Sequence, residues 1–382
     1  MVRDSFVPTI GIIGGGVAGL TTAYALRREG YDVTVFERAA ALRTSGGALI
    51  LWTNALKALS QLGLRDKLLA KSSVQEVSRC EFFASDGELL ASVPIDEIAE
   101  THGAETVVMS RAHLIAVLGE AAGTVRFNAE IREIREANDK VVIGHGDGGE
   151  DTFDAVIGAD GINSAVRDFV GAANPVRFIG QDMCVGTTNH QPHELSRGTV
   201  SASVGIAQRF WTAALGDGRT FWYAVFQSGL DVDTLEALSA LYVGWHAPIA
   251  ELIANTQPDD TWWTPMRDRE PSPQWGRGRI TLAGDSAHAM TPDLGQGACQ
   301  AIESALVLRN AVATTSDLTA AFRAYETKRF ERVSNVARLS YVVASSCGTT
   351  SPFANRVRNA AVRVGMRAAF MSQLDWLYRG TS

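Results

Sequence analysis

The sequence has few of the residues that metal, hydrolytic or disulfide chemistry requires. Its 382 residues include four cysteines and seven histidines. The cysteines lie far apart without C-x-x-C spacing, which argues against a zinc site, a redox disulfide and a secreted disulfide framework. The histidines show no metal spacing and no serine or cysteine partner, so we assign no metal and no hydrolytic site. We expect a protein of the reducing cytoplasm.

Long apolar runs and an excess of positive charge are also missing. The longest apolar runs are far too short to span a bilayer. A predicted strand begins almost at once after residues 1–7, so no signal or transit segment can be identified. The formal net charge of -7 gives no reason to expect nucleic acid as a partner. A hydrophobic content of 46% supports a large core, and the length suits two domains.

A glycine-rich turn follows the first predicted strand and has the spacing G-x-G-x-x-G. Gly14 permits the tight turn, and Gly16 lets the backbone approach a pyrophosphate. Gly19 lets the following helix pack closely on the strand. Val17 and Ala18 open that helix, whose first N–H groups favour a phosphate. The turn therefore predicts a dinucleotide site.

An acidic residue lies where such a site binds a ribose. The helix is predicted over 17–29, and a second strand over 32–36 ends at Glu37, eighteen residues after the last glycine of the turn. A carboxylate at this point reaches a ribose 2′-hydroxyl and would repel a 2′-phosphate. The segment therefore favours FAD or NAD over NADP.

A later strand–turn–helix segment, over 279–308, contains a carboxylate and a rigid turn. Asp285 follows an apolar strand and suits the hydroxyl groups of a sugar-like chain. Pro292 stiffens the loop, whereas Gly295 and Gly297 leave N–H groups bare at the positive end of a helix. These N–H groups can bond ring carbonyls or stabilise an anionic ring. The alternative, a capped helix after a buried strand, would not need this density of glycine and proline.

A third buried strand, over 154–159, breaks into a carboxylate flanked by glycine. Asp160 and Gly161 follow it directly. The alternative is a strand followed by a capped helix, since Asn163 or Ser164 is a suitable N-cap. The order of the three segments along the chain decides how they are interpreted.

In this order the segments resemble the single-component FAD-dependent aromatic hydroxylases with the fold of p-hydroxybenzoate hydroxylase. Relatives in that family include zeaxanthin epoxidase and FAD-dependent urate hydroxylase. The resemblance covers nearly the whole chain. Its motifs are the glycine turn at 14–19, a D-G segment at 158–167, a G-D segment at 284–285, and shorter matches at 52–56, 62–64, 110–114 and 268–271.

The resemblance implies an α/β fold, α+β overall, with a Rossmann-like FAD-binding layer, an inserted mixed β-sheet that binds substrate, and C-terminal helices. Residues 73–98 and 176–266 alternate apolar with polar and are rich in aromatics, as sheet strands are. The predicted domains are a discontinuous FAD-binding domain over 1–72, 99–175 and 267–345, a substrate-binding sheet over 73–98 and 176–266, and a helical segment over 346–382.

The resemblance also assigns roles to residues that would bind FAD without a covalent bond. Glu37 would take the adenosine ribose, Arg111 the pyrophosphate side and Asp285 the ribityl chain, while residues 294–297 would face the N1/O2 edge of the flavin. The full predicted set of cofactor-binding residues is Gly14, Gly16, Val17, Ala18, Gly19, Glu37, Arg38, Gly47, Arg111, Asp160, Asp285, Pro292, Leu294, Gly295, Gln296 and Gly297.

In this family NADPH or NADH reduces FAD, O2 adds at C4a, and the resulting C4a-hydroperoxyflavin hydroxylates or epoxidises an electron-rich ring or double bond. No second G-x-G-x-x-G follows a strand, so the pyridine nucleotide would bind transiently. Trp211, Phe221 and Tyr223 are predicted to form an aromatic wall for a planar aromatic substrate, although each could simply be core packing. Arg209 could pair with an anionic substrate oxygen or be a surface arginine.

Alternatives remain open at this point. A flavin-dependent halogenase shares the fold, but its W-x-W-x-I-P pattern is not supplied by residues 261–265, and its lysine cannot be placed. A flavin-dependent reductase or oxidase, or a non-catalytic FAD-binding protein, is also compatible with the motifs. The chain could be a monomer or a homodimer. Its basic C-terminal segment could touch a membrane or form a solvated helix face.

Overall fold

The computed structural model describes residues 7–43, 47–71, 73–146, 148–172 and 174–379. The strands are β1 (Thr9–Ile13), β2 (Asp32–Phe36), β3 (Ala48–Leu51), β4 (Gln75–Glu76), β5 (Arg79–Ala84), β6 (Leu89–Pro94), β7 (Val107–Ser110), β8 (Val125–Arg126), β9 (Ile131–Ala137), β10 (Lys140–His145), β11 (Glu150–Phe153), β12 (Ala155–Gly158), β13 (Val176–Thr188), β14 (Thr199–Val204), β15 (Arg209–Ala214), β16 (Thr220–Gln227), β17 (Thr261–Arg269), β18 (Gly276–Arg277) and β19 (Ile280–Leu282). The helices are α1 (Val17–Arg28), α2 (Thr53–Leu62), α3 (Arg65–Leu69), α4 (Ile95–His102), α5 (Arg111–Ala122), α6 (Ala165–Phe169), α7 (Leu235–Leu241), α8 (Ile249–Ala254), α9 (Asp285–His288), α10 (Gly297–Thr314), α11 (Leu318–Cys347) and α12 (Pro352–Arg379), and two short 3₁₀ turns cover Pro258–Asp260 and Pro292–Leu294.

A six-stranded sheet brings the predicted motifs to one edge. Its order is β18-β19-β12-β1-β2-β8, and β1, β2, β12 and β19 run parallel. The carboxyl ends of parallel strands meet at the same edge of a sheet, which is where open α/β sheets bind ligands. Gly14, Glu37, Asp160 and Asp285 each follow one of these strands directly or within three residues. The α/β prediction with a Rossmann-like layer is confirmed.

The three glycines of the first turn differ in what surrounds them. Gly14 has a φ of +114°, and a Cβ there would lie 2.2 Å from the Ala159 carbonyl oxygen. A Cβ at Gly19 would lie 1.9 Å from the Gly14 carbonyl oxygen. A Cβ at Gly16 would meet no described atom within 4 Å. Gly14 and Gly19 therefore permit the turn and its packing, whereas Gly16 faces open space.

A seven-stranded sheet, in the order β17-β13-β16-β15-β14-β5-β6, forms the second layer. Its strands come from 79–94 and 176–269, and β17 continues past the predicted boundary at 266 because Val176 still pairs with Arg269. All pairs are antiparallel except β14 with β5. The largest core cluster contains residues of both layers, so the two sheets share one core.

A three-stranded meander, β11-β10-β9, lies beside the parallel sheet. Asn138 and Asp139 have φ of 51° and 58° and form the two-residue turn between β9 and β10, since both central residues of a type I′ turn need positive φ. From sequence, residues 146–149, with three glycines and Asp147, also suit a turn, but Asp147 lies outside the described residues.

Two long helices, α11 and α12, complete the chain. Leu374, Leu377 and Tyr378 of α12 are buried, and Phe370 contacts Phe82 of β5 and Trp52 before α2 at ring centroid distances of 5.7 and 5.9 Å. Helix α12 is therefore part of the packed structure, and it contacts both β5 of the seven-stranded sheet and the residue that precedes α2. Of the described helices, none combines the length and the apolar character that crossing a membrane requires.

Candidate active site

A continuous cavity of about 1010 Å³ lies between the carboxyl edge of the parallel sheet and one face of the seven-stranded sheet. Gly14, Glu37 and Asp285 line one end, and Trp211 and Tyr223 line the other. Ligand pockets commonly measure about 300–1,000 Å³, so this cavity lies at the upper end of that range. We call these the dinucleotide end and the aromatic end.

The dinucleotide end combines a helix N-terminus with a carboxylate. Gly16 precedes α1, and its backbone faces open space in the cavity wall. The Glu37 carboxylate accepts hydrogen bonds from the backbone N–H groups of Gly15 at 2.8 Å and Ala39 at 2.9 Å. A carboxylate offers about four acceptor positions, so this one can still accept from ribose hydroxyls. Arg38, Val17 and Ala18 also line this end.

Asp285 and Arg111 face the same part of the cavity from two helix N-termini. Burial raises the pKa of Asp285, and the nearby Arg111 guanidinium opposes that change. Burial lowers the pKa of Arg111, and Arg43 adds to this effect, while Asp285 opposes it. The Arg111 Nε is buried and has no hydrogen-bond partner among the described residues. An unused cationic donor beside a carboxylate fits a ligand that carries both phosphate and hydroxyl groups.

The loop before α10 forms the middle of the cavity. Pro292, Leu294, Gly295 and Gly297 lie in its wall. Gly295 has a φ of +60°, and a Cβ at Gly297 would meet no described atom within 4 Å. Because α10 is 18 residues long, its N-terminal N–H groups carry the partial positive charge of a full helix dipole. This geometry fits the polar edge of a flavin ring.

Three residues of the predicted cofactor set lie behind the cavity wall. The Gln296 side chain accepts hydrogen bonds from Asn54 Nδ2 at 3.1 Å and from Gln300 Nε2 at 2.9 Å. Its side-chain oxygen is therefore occupied, and its backbone is the part that can hydrogen-bond a ligand. Gly19 packs under the turn, and a Cβ at Gly47 would strike Val185 and Phe221. The roles of these glycines concern packing, and their assignment as cofactor contacts stays a prediction.

Asp160 fits both interpretations made from the sequence, a carboxylate at a ligand site and a strand followed by a capped helix. Its carboxylate accepts from Ser164 Oγ at 2.5 Å, from the Ala165 backbone N–H at 2.8 Å and from Ser286 Oγ at 3.1 Å. Asp160 also lines the cavity. The N-cap of α6 is Ser164, whose Oγ accepts from the Arg167 backbone N–H. Asp160 supports that cap and ties the D-G segment to α9, and a contact with the cofactor is a further role that stays a prediction.

The aromatic end contains the three predicted wall residues. The Trp211 and Tyr223 rings stack with centroids 5.9 Å apart and an interplanar angle of 11°, and Phe221 lies 6.1 Å from Tyr223. All three line the cavity. Burial, together with the charge of Asp293, raises the pKa of Tyr223 well above its usual range, so its phenol stays protonated and can donate a hydrogen bond.

Arg209 takes neither of the two places predicted for it. It is 1% exposed, so it is not a surface arginine, and its guanidinium lies behind the cavity wall. The Arg209 Nη2 forms a salt bridge of 2.6 Å with Asp293 Oδ1, and Nη1 donates to Gln181 Oε1 at 2.5 Å. Burial disfavours the charge, but Asp293 together with Cys347, Tyr223 and Tyr242 outweighs this effect, and the pKa of Arg209 is raised. The arginine therefore already has a counter-ion inside the protein.

Several wall residues were missed by the sequence analysis. Asp293 lies in the cavity wall between two predicted cofactor residues, and Phe370 reaches the wall from the C-terminal helix. Met183 and Val185 enter it from β13. A buried arginine on a strand requires an acidic partner, which could have pointed to Asp293. Nothing local in the sequence marks the other three.

Comparison with known proteins supports the motif analysis. A family model described as FAD binding domain matches residues 7–340. The aurachin C monooxygenase/isomerase of Stigmatella aurantiaca is 34% identical over 362 residues, which cover 93% of this chain and 94% of that protein. The FAD-dependent urate hydroxylase of Klebsiella pneumoniae subsp. pneumoniae is 32% identical over 330 residues, covering 84% and 86%. The structure of Klebsiella pneumoniae HpxO with FAD and uric acid superposes with a TM-score of 0.89 at 25% identity, covering 98% of this chain and 97% of the other.

Proposed function

The chain belongs to the FAD-dependent aromatic hydroxylases, and from this premise we propose that it hydroxylates a planar ring held between the Trp211 and Tyr223 wall and the loop before α10. It is a flavoprotein monooxygenase with FAD as its cofactor. Relatives named for 6-hydroxynicotinate and urate act on planar rings, and the aromatic end of the cavity suits a molecule of that kind.

FAD, once reduced by NADH or NADPH, supplies the activation of O2. The chain supplies position and electrostatics. The Gly295 N–H already donates to the Pro292 carbonyl oxygen at 2.8 Å, so the expectation of a bare N–H group is wrong for this residue. The Gly297 N–H, at the start of α10, favours negative charge beside it, and losing such a donor can cost about 3 kcal/mol. Tyr223 can donate a hydrogen bond to a substrate oxygen while the neighbouring ring of Trp211 fixes the plane of the substrate.

One observation carries the proposal. The cavity wall that begins at Glu37 and Asp285 continues without a break to Trp211 and Tyr223. A ring bound at the aromatic end therefore lies next to the loop that would hold the flavin. Such positioning turns the oxygen transfer into an effectively unimolecular step.

The proposal is tested by isotope labelling. The FAD-loaded protein is incubated with NADH or NADPH, ¹⁸O₂ and a panel of phenols and hydroxyquinolines, and product mass and cofactor oxidation are measured. We expect one ¹⁸O atom per product and ring-stimulated oxidation of the nucleotide. Unlabelled product would instead assign a reductase or oxidase activity and overturn the proposal.

Two wall variants connect the reaction to this site. Tyr223→Ala and Phe221→Ala should raise the KM for the ring and increase hydrogen peroxide release, because a loosely held ring lets activated oxygen decay before transfer. Trp263→Ala is the matched control, since Trp263 lies on the opposite face of the sheet, where its ring contacts Phe226. Unchanged KM and peroxide release in both wall variants would place the substrate elsewhere.

The remaining features belong to the same proposal. The pyridine nucleotide binds transiently, and the enzyme works in the cytoplasm as a monomer or homodimer. The four cysteines are free and buried, which is compatible with a reducing compartment.

A further inference from the structure

Strand register places a row of apolar side chains across the cavity-facing side of the seven-stranded sheet. Partners in a sheet lie side by side and point to the same face. Val185 pairs with both Trp262 and Tyr223, and Tyr223 pairs in turn with Trp211. The pairing continues to the sheet edge. The complete row, here called the central row, is Trp262, Val185, Tyr223, Trp211, Ala202, Phe82 and Ala91.

The two rows beside it add one charge, and that charge is neutralised. One flanking row is Thr187, Phe221, Ala213, Val200, Cys80 and Val93. The other is Thr264, Met183, Val225, Arg209, Val204 and Ala84. Within these three rows the charged side chain is Arg209, and its salt bridge to Asp293 leaves no net charge for a ligand.

The arginines that line the described cavity wall lie away from the central row. Arg38, Arg43 and Arg111 belong to the dinucleotide end. Arg267 lies on the edge strand β17, beyond the irregularity in its pairing with β13, where it faces the exposed Phe178. A carboxylate bound over the central row would therefore lose its hydration without gaining an ion-pair partner.

The central row is longer than one ring. From Trp262 to Trp211 it crosses three inter-strand spacings, roughly 14 Å. The neighbouring rings of Trp211 and Tyr223 occupy 5.9 Å of that length. At one end Trp262 is 44% exposed, and at the other Phe370 closes the row against Phe82. The row is thus open to solvent at the sheet edge and closed by α12.

We propose that the central row selects a neutral, extended, apolar substrate, a planar ring that carries a second ring or a hydrocarbon substituent, over a single-ring carboxylate. This inference rests on the proposed function, because it describes the substrate of that same site. The ring undergoing oxidation lies at Trp211 and Tyr223, and the apolar remainder extends along Val185 toward Trp262.

The test measures binding without turnover. The FAD-loaded enzyme, without pyridine nucleotide, is titrated with 4-ethylphenol, 4-hexylphenol and 4-hydroxybenzoate, and Kd is read from the change in flavin absorbance. We expect 4-hexylphenol to bind at least about tenfold more tightly than 4-ethylphenol, because four more methylene groups leave water. We expect 4-hydroxybenzoate to bind at least about tenfold more weakly than 4-ethylphenol, because its carboxylate must be desolvated.

Two neighbouring tryptophans provide the matched variants. Trp262→Ala should weaken 4-hexylphenol at least about fivefold and leave 4-ethylphenol unchanged, because the longer molecule alone reaches the sheet edge. Trp263→Ala removes the same side chain from the opposite face, where it contacts Phe226, and should change neither Kd.

The outcomes separate this inference from the proposed function. Equal Kd values for the two alkylphenols, or tighter binding of 4-hydroxybenzoate that is lost in Arg267→Met, would overturn the selectivity and leave the hydroxylase proposal standing. If the alkylphenols bind in the expected order and yet no ring compound in the panel yields ¹⁸O-labelled product, the hydroxylase proposal fails and the binding preference stands.

Discussion

The two ends of the cavity are built in different ways. At the dinucleotide end and in the middle of the cavity the backbone forms much of the site, because open space at Gly16 and Gly297 exposes peptide groups next to two helix N-termini. At the aromatic end side chains form the site, and Trp211, Tyr223 and Val185 meet there through strand pairing. Short local sequence motifs determine the backbone geometry of the first end, whereas the side chains that become cross-strand neighbours at the second depend on the register between distant segments.

The difference suggests a division of labour within one cavity. A backbone-built end has little freedom to vary, which suits a fixed cofactor. A wall of exchangeable side chains on a stable sheet can change without loss of the fold, which suits substrates that differ between relatives. Relatives of this chain are named for aurachin C, urate and 6-hydroxynicotinate, while the cofactor-binding model extends over residues 7–340.

The largest effect is expected where the aromatic end depends on a buried charge. Arg209→Met removes the partner of Asp293, whose side chain is 2% exposed, and leaves that carboxylate uncompensated. We expect the free energy of unfolding to fall by about 3–5 kcal/mol, measured by urea denaturation. The double variant Arg209→Met with Asp293→Leu should recover most of this loss, since both charges are gone.

An exposed pair gives the control for this variant. Arg219 and Asp217 form a salt bridge of 2.7 Å on the same sheet layer, with side chains 39% and 26% exposed. Arg219→Met should cost less than about 1 kcal/mol, because solvent screens the pair. If Arg209→Met costs no more than Arg219→Met, the aromatic end does not depend on its buried ion pair.

The next effect tests whether the backbone alone makes the dinucleotide end. Gly16 has extended φ and ψ of -84° and -172°, which any residue adopts, and no described atom within 4 Å of a Cβ. Gly16→Val should therefore leave the melting temperature of the FAD-free protein within about 2 °C, as for a surface substitution. FAD affinity should fall at least about 100-fold, because the side chain fills the space that the pyrophosphate needs.

Variants of two other glycines are the controls for the melting temperature and FAD affinity of Gly16→Val. Gly14→Val should lower the melting temperature as well, because its φ of +114° and the Ala159 carbonyl forbid a side chain. Gly365→Val, in open space on α12 and away from the cavity wall, should leave FAD affinity unchanged. Retention of FAD by Gly16→Val through gel filtration would contradict the assignment of this space to the cofactor.

Much of the dinucleotide end could be predicted from the sequence. The glycine turn, Glu37 and Asp285 are each recognisable within a short segment, because strand, turn and helix signals stand next to one another. Parallel strands then bring the three segments to one edge without further information. The predictions of family, fold class, FAD and monooxygenase function are confirmed, while the role of each residue stays a prediction.

The aromatic end could be predicted less well for a physical reason. Trp211, Phe221 and Tyr223 were found because they lie on two adjacent strands of one hairpin. Phe370 comes from a helix more than 140 residues later, and Asp293 pairs with Arg209 across the two layers, so only the folded chain reveals them. The same holds for the central row. Its seven members lie on seven different strands, and they become neighbours only through the register of six separate strand pairings.

The smallest expected effect concerns the support beneath the dinucleotide end. His288, at the end of α9, is 4% exposed, and burial together with the charge of Arg329 lowers its pKa to about 3. Its ordinary pKa in an unfolded chain is about 6.5. Because the folded state holds this imidazole neutral, its contribution to stability is fully present above pH 6.5 and is lost as the pH falls from 6.5 toward 3.

The pH dependence of stability therefore reports on this residue. At pH 5 the difference between the two pKa values makes the native state about 2 kcal/mol less stable than at pH 7 through His288 alone. His288→Gln should remove that part of the slope in urea denaturation measured between pH 7 and pH 5. His193→Gln, whose side chain is 92% exposed, should not change the slope. Equal slopes in the wild type and His288→Gln would mean that the imidazole titrates in water in the folded protein, and that α9 does not keep it buried beside Asp285.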